Sequence, residues 1–258
     1  MKLPTKKEIP KDKGFASNNM NSRYRNTLFF LLFTCACLSV GAQVNFVLNP
    51  SFEDTVNCPS EWGQIRHAKY WSCAVDTTGE TMYTPEYNNT CSPSSGHFAK
   101  MPDNIYFYQY PHTGNGTVSG HLYYDRTSPF PPFLDTTYRD YFQGHLVRPL
   151  EHGKQYCVAF WVNMAEIAGY AHDHIGVYLD DGSINKRSKA GIEITDVIPQ
   201  FYTTAIIKDT QNWVKAEGSF IATGNETHIT LGNFAKQADV DTNYIYLGTC
   251  LPIFLLSF

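Results

Sequence analysis

The sequence predicts an all-β fold, a two-sheet antiparallel sandwich of the jelly-roll type, and three observations predict it. Aromatic and β-branched runs alternate with period two, clusters of Gly, Pro, Asn and Asp separate them, and no amphipathic helix of ordinary length can be drawn through them. A first strand at 44–48 leads into an Asn49-Pro50 turn. Residues 55–103 read as loop, because turn-forming residues recur there and hydrophobic periodicity is poor. Strands follow at 105–110, 117–124, 138–146, 156–165, 174–179, 213–222 and 228–234.

The segment before the first strand belongs to export rather than to the fold. Residues 27–42 form an uncharged apolar run, preceded by Arg23 and Arg25 and closed by Gly41 and Ala42. That is the layout of a signal peptide cut before Gln43, and it is shorter than the roughly 20 apolar residues of a membrane-spanning helix. The domains expected are a leader at 1–42, with Met20 as an alternative start, a sandwich at 43–243, and a divergent or truncated apolar tail at 244–258. The mature chain carries no expected transmembrane helix. Its place is extracellular, periplasmic or at the outer-membrane surface.

Removing the leader leaves 13 basic and 22 acidic residues, a net charge of −9. A strongly acidic domain rich in Tyr and Phe, with no basic cluster, excludes nucleic acid and an anionic membrane face as partners. Neutral glycans, such as cell-surface polysaccharide, and cations fit that charge. Five cysteines remain: Cys58, Cys73, Cys91, Cys157 and Cys250. In an exported chain they imply one or two disulfides, and several pairings are open. Cys58 with Cys91 is favoured, since these two bracket a loop-rich stretch with little core of its own. Cys73 is then left to pair with Cys157 or to stay reduced, and Cys157, within an apolar strand, also reads as a buried thiol.

Alternation sorts the faces of two strands. Val158, Phe160 and Val162 share one face, with Trp161 and Asn163 opposite; Ile175, Val177 and Leu179 point inward, with His174 and Tyr178 opposite. If these strands pair, Trp161, Asn163, His174 and Tyr178 form an aromatic and polar patch suited to a pyranose ring and its hydroxyls. The alternative is that a loop covers the face and the aromatics only pack.

Several segments together resemble a known module: Asn49-Pro-Ser-Phe-Glu-Asp54, Tyr70-Trp71, Tyr138-Arg-Asp-Tyr-Phe-Gln143, Tyr156-Cys-Val-Ala-Phe160, Asp209-Thr-Gln-Asn-Trp213 and Ile229-Thr-Leu-Gly-Asn-Phe234. The chain resembles the N-terminal sandwich of exported proteins of gliding-type Gram-negative bacteria, often ahead of an OmpA-like domain. More distantly it is similar to the galactose-binding-like jelly rolls of carbohydrate-binding module families four and nine. The resemblance implies a non-catalytic, carbohydrate-binding-like module, with a structural or adhesion spacer as the alternative and a glycoside hydrolase as a third reading. It also implies a structural Ca²⁺ with Glu53 as ligand and Asp54 as a weaker candidate. Relatives close with an acidic strand beside the first one. After Asp241 this chain has no acidic residue, so the sandwich is expected to lack its last strand, to be aggregation-prone, and to respond little to calcium; the alternative is a divergent final strand at 253–258.

No catalytic motif is present. There is no Gly-x-Ser-x-Gly elbow, His-Glu-x-x-His helix or phosphate-cradling glycine loop. His172 and His174 have the spacing of two zinc ligands on an extended segment, but no third ligand is placed by sequence. Asp180-Asp181 before Gly182 reads as a turn.

Overall fold

The computed structural model describes residues 44–75, 84–93, 97–124, 138–186, 193–245 and 253–258. The leader at 1–42 and Cys250 lie outside the described residues. In chain order the strands are β1 (Trp71–Cys73), β2 (Glu86–Asn89), β3 (Gly116–His121), β4 (Phe142–His145), β5 (Gln155–Met164), β6 (Tyr170–His172), β7 (Ile175–Asp180), β8 (Phe201–Tyr202), β9 (Val214–Ile221), β10 (His228–Asn233), β11 (Thr242–Tyr244) and β12 (Ile253–Ser257). Helical residues among those described are confined to three short 3₁₀ turns. No helix there is long and apolar enough to cross a membrane.

Two five-stranded sheets form the sandwich, and every strand pair in them is antiparallel. The first runs β1-β4-β10-β7-β8 and the second β2-β3-β12-β5-β9, while β6 and β11 make a separate two-stranded ribbon. The inner faces follow the predicted alternation. Val158, Phe160 and Val162 meet Ile175, Val177, Ile229 and Leu231 in one core, with Phe52, Trp71, Tyr87 and Phe142. These side chains leave water almost completely, each fully buried aliphatic or aromatic group contributing roughly 1.5–3 kcal/mol.

The opening motif is shaped by one amide. Asn49, at φ 49°, donates from Nδ2 to the carbonyls of Asp54 and Lys69 and accepts at Oδ1 from the Asp54 N–H. Its own carbonyl accepts the indole N–H of Trp71 at 2.9 Å. The resulting loop drives Phe52 into the core, 4.7 Å from the Trp71 ring. The expected first strand at 44–48 is reduced to a single bridge, Val47 to Leu146.

A lost closing strand is the principal expectation the fold overturns. β12 lies in the middle of the second sheet, hydrogen-bonded to β3 on one side and β5 on the other. Its run of Phe254, Leu255 and Leu256 lacks alternation for a physical reason: both faces are covered. Phe254 and Leu256 enter the main core, whereas Leu255 joins Met101, Phe107 and Ala165 in a second cluster on the outer face. Phe258 then packs on Trp71 and Phe160.

Two further corrections concern the first half of the chain. The stretch read as loop at 55–103 contains β1 and β2, both short and flanked by turns. Conversely, 105–110 is not a strand, because the Asn104 side chain captures the N–H groups of Tyr106 and Phe107 and folds the segment back on itself. Cys58 and Cys91 are joined in a disulfide; Cys73 is a buried free thiol and Cys157 an exposed one, which corrects the buried reading of Cys157.

Candidate functional site

The four residues expected to form one patch do not meet. β5 and β7 belong to opposite sheets, so Trp161 and Asn163 lie on the outer face of the second sheet and Tyr178 on that of the first, while His174, at φ 56°, precedes β7 and lies outside the strand. The alternation holds for Trp161, Asn163 and Tyr178, but the expected pairing of the two strands does not occur. His174 stacks on Tyr202 with centroids 4.9 Å apart and shares a 2.6 Å contact with the Asp173 carboxylate. Tyr178 is half-buried against Phe234.

On the second sheet, strand register builds a grid of side chains. Asn88 faces Thr117, and Ser257 faces Trp161; one step along, Glu86 and Leu255 both pair with Ser119, and Leu255 with Asn163. Asn88, Thr117, Asn163 and Ser257 are fully buried. On the same face the loop of 97–112 packs Met101 and Phe107 against Leu255 and Ala165. Asn163 Nδ2 donates to the carbonyls of Asp209 and Asn212. Its Oδ1, Asn88 Oδ1 and Ser257 Oγ find no protein partner among the described residues. These three polar atoms lie on three strands of one face and form a buried polar layer there.

Above this layer the loop turns aromatic side chains outward. Tyr108 and Tyr110 are 56% and 62% exposed and meet edge to face at 6.0 Å. The segment is fixed to the sheet at three points. The Trp213 indole N–H donates to the Tyr110 carbonyl at 3.0 Å, the Tyr108 N–H donates to Glu166, and His112 stacks on Trp161 with centroids 4.0 Å apart. Burial lowers the pKa of His112, so the ring in this stack is neutral. Tyr108, Tyr110, His112, Trp161 and Trp213 thus form one aromatic surface. Of these the sequence singles out Trp161 as a site residue; Tyr108 and Tyr110, two apart, read there as one face of a strand at 105–110.

The two carboxylates of the opening motif are placed differently from a cation site. Glu53 accepts from the N–H groups of Asn115 and Gly116 and from Asn115 Nδ2, so N–H donors occupy both of its oxygens. Gly114, at φ 64°, leaves room for that carboxylate; a Cβ there would overlap it. The Asp54 side chain is exposed. Among the described residues no three His, Cys, Asp or Glu side chains gather to hold a metal. This donor set does not fit calcium, which requires several converging oxygens.

Histidine and acid chemistry is inward-looking as well. His172 is fully buried with Nδ1 at 2.6 Å from the Asp173 carbonyl, and burial pushes its pKa down to about 3. Asp180 caps its own turn, accepting from Gly182, Ser183 and Ile184. Burial raises Asp140 to about 7, opposed by hydrogen bonds from the His121 N–H and the Tyr138 hydroxyl. Glu86 is raised by burial and by the charge of Asp140. Neither carboxyl was singled out from sequence, because burial of an isolated acid leaves no local pattern.

No protein-family model matches the chain, and no curated protein does. Among solved structures, the K1 cleaved adhesin domain of Lys-gingipain from Porphyromonas gingivalis W83 aligns at 12% identity over 83% of this chain and 95% of that one, with a TM-score of 0.41. A Stig cyclase from Fischerella sp. TAU aligns at 12% over 83% and 98%, TM-score 0.42. The CBM22-1 xylan-binding domain from Paenibacillus barcinonensis aligns at 12% over 83% and 90%, TM-score 0.34. Likenesses this distant leave the ligand to be argued from the chain's own residues.

Proposed function

We propose that this chain is a non-catalytic binding module of an exported protein and that its ligand is a neutral glycan held on Tyr108, Tyr110 and Trp213. One observation carries the reading: two exposed tyrosines are pinned edge to face on a loop that is itself bonded to Trp213 and stacked on Trp161. Rigid aromatic faces offer the apolar side of a pyranose a surface that costs little ordering entropy. The Glu166 and Asp209 carboxylates at the rim, with Asn212, provide acceptors and an amide for sugar hydroxyls. The disulfide agrees with an oxidising compartment.

Affinity electrophoresis through gels of soluble neutral polysaccharides tests this. The chain should be retarded by at least one of xylan, mixed-linkage β-glucan or galactomannan, and Tyr108→Ala and Tyr110→Ala should each migrate freely while keeping the parent circular dichroism spectrum. Retardation unchanged in both variants, or absent in every gel, refutes the reading. A second reading, a structural or adhesion spacer, is favoured by the loop of 97–112 packing against Leu255 and Ala165 and by the packed state of Trp161 and Tyr178. Absence of retardation in every gel is the result it expects.

A further inference from the structure

The outer face of the first sheet holds a second convergence of donor atoms, independent of the glycan-binding reading. Ile229 and Leu231 of β10 point into the core, which turns His228 outward. In register, His228 pairs with His145 of β4 on one side and Asp180 of β7 on the other, so three polar residues cross three neighbouring strands in one row. His145 is exposed and His228 half-buried. Their rings stand 4.4 Å apart between centroids and are inclined by 53°.

That separation is what a shared metal ion asks for. With metal–nitrogen bonds of about 2.0–2.1 Å and a ring centre about 1.1 Å behind each nitrogen, two imidazoles at a right angle around one ion have centroids about 4.5 Å apart. The two side chains stand opposite each other on adjacent strands, where directly facing Cβ atoms are about 4.5–5.5 Å apart, so chelation demands no change of backbone. His228 Nδ1 lies 2.8 Å from the Thr227 hydroxyl, which orients the ring and leaves Nε2 for a ligand. The Asp180 carboxylate is committed to its turn by the Gly182, Ser183 and Ile184 contacts, so it adds negative field rather than a bond.

We propose that His145 and His228 form a two-imidazole chelate for a borderline divalent transition metal, with water completing the coordination. For nitrogen donors the affinity order is copper(II) above nickel(II) and zinc(II).

The test is calorimetric titration of the tag-free chain with CuCl₂, NiCl₂ and ZnCl₂, in a Cys157→Ser background so that the exposed thiol does not compete. One metal equivalent should bind, with His145→Ala and His228→Ala each lowering affinity at least tenfold and the double variant losing little more than either single one. The exposed position of His145 makes that variant safe for folding, and circular dichroism checks both. Affinity unchanged in the His145 variant, no binding at 1 mM metal, or binding that disappears with Cys157→Ser while surviving in Cys157 chains without either histidine, overturns the proposal.

Discussion

Phe254 and Leu256 are the sharpest place to perturb this fold, because they sit on the central strand of a five-stranded sheet and are both fully buried in the main core. Truncating a buried Phe to Ala costs about 3–5 kcal/mol and a buried Leu about 2–5, the spread depending on how far the site collapses. The two side chains are i and i+2 on one face, so they share a cavity and their costs are not additive. We expect about 3 kcal/mol or more for each single variant and about 4–7 for the pair, against a total stability of roughly 5–15 kcal/mol for a domain. Urea unfolding followed by tryptophan fluorescence reads this as a fall in the midpoint, larger in the double variant than in either single one. Ile221→Ala, at a position 68% exposed, is the control and should move stability by less than about 0.5 kcal/mol. If Phe254→Ala and Leu256→Ala each cost under about 1 kcal/mol, the strand is not part of the core and the reasoning fails.

Three other outcomes follow from named contacts. Cys58 and Cys91 are 33 residues apart, so in the chain-entropy model Cys58→Ala with Cys91→Ala should lower stability by roughly 3–4 kcal/mol, and a loss below about 1 in thermal or urea unfolding contradicts that. His172 is held neutral with a pKa of about 3 against 6.5 in the unfolded chain, so the unfolded state binds the extra proton between those values and stability is lost as pH falls from 6.5 towards 3. Relative to His172→Asn, which keeps an N–H donor, the parent should lose about 1.4 kcal/mol per pH unit across that window, and parallel stability curves refute the assignment. Glu53→Ala strips three N–H groups of their acceptor and should cost about 1–3 kcal/mol, discounted by exposure, with or without millimolar calcium. A melting temperature that rises with calcium in the parent and not in the variant would show that Glu53 is a cation ligand after all.

Local pattern carried the fold class and failed on what is not local. Val158, Phe160 and Val162, like Ile175, Val177 and Leu179, declare an inner face by alternation alone, and each of them is buried. Alternation does not say which sheet a strand joins. The ten residues from Ala165 to His174 carry the chain through the β6 ribbon from one sheet to the other, and with that the imagined patch of Trp161, Asn163, His174 and Tyr178 comes apart. β12 is legible in the sequence only as the alternative reading of a final strand at 253–258, since a strand covered on both faces has no period to detect. Tyr108 and Tyr110 do alternate with Phe107, yet an Asn104 side chain bonded to the backbone makes that segment a loop, and so presents as a surface what the pattern presents as a strand.

The chain's four tryptophans, Trp62, Trp71, Trp161 and Trp213, offer the most direct check on glycan binding at the aromatic loop. Their indole N–H signals separate in a ¹⁵N-edited NMR spectrum; Trp213 donates to the platform loop at the Tyr110 carbonyl, beside the exposed tyrosines, while Trp71 donates to Asn49 deep in the core. Titrated with xylo-, cello- and galacto-oligosaccharides, the Trp213 signal should shift saturably, Trp161 should follow through its stack on His112, and Trp71 should stay still. No shift at Trp213 with any of them, or shifts confined to Trp71 and Trp62, would contradict binding on this surface.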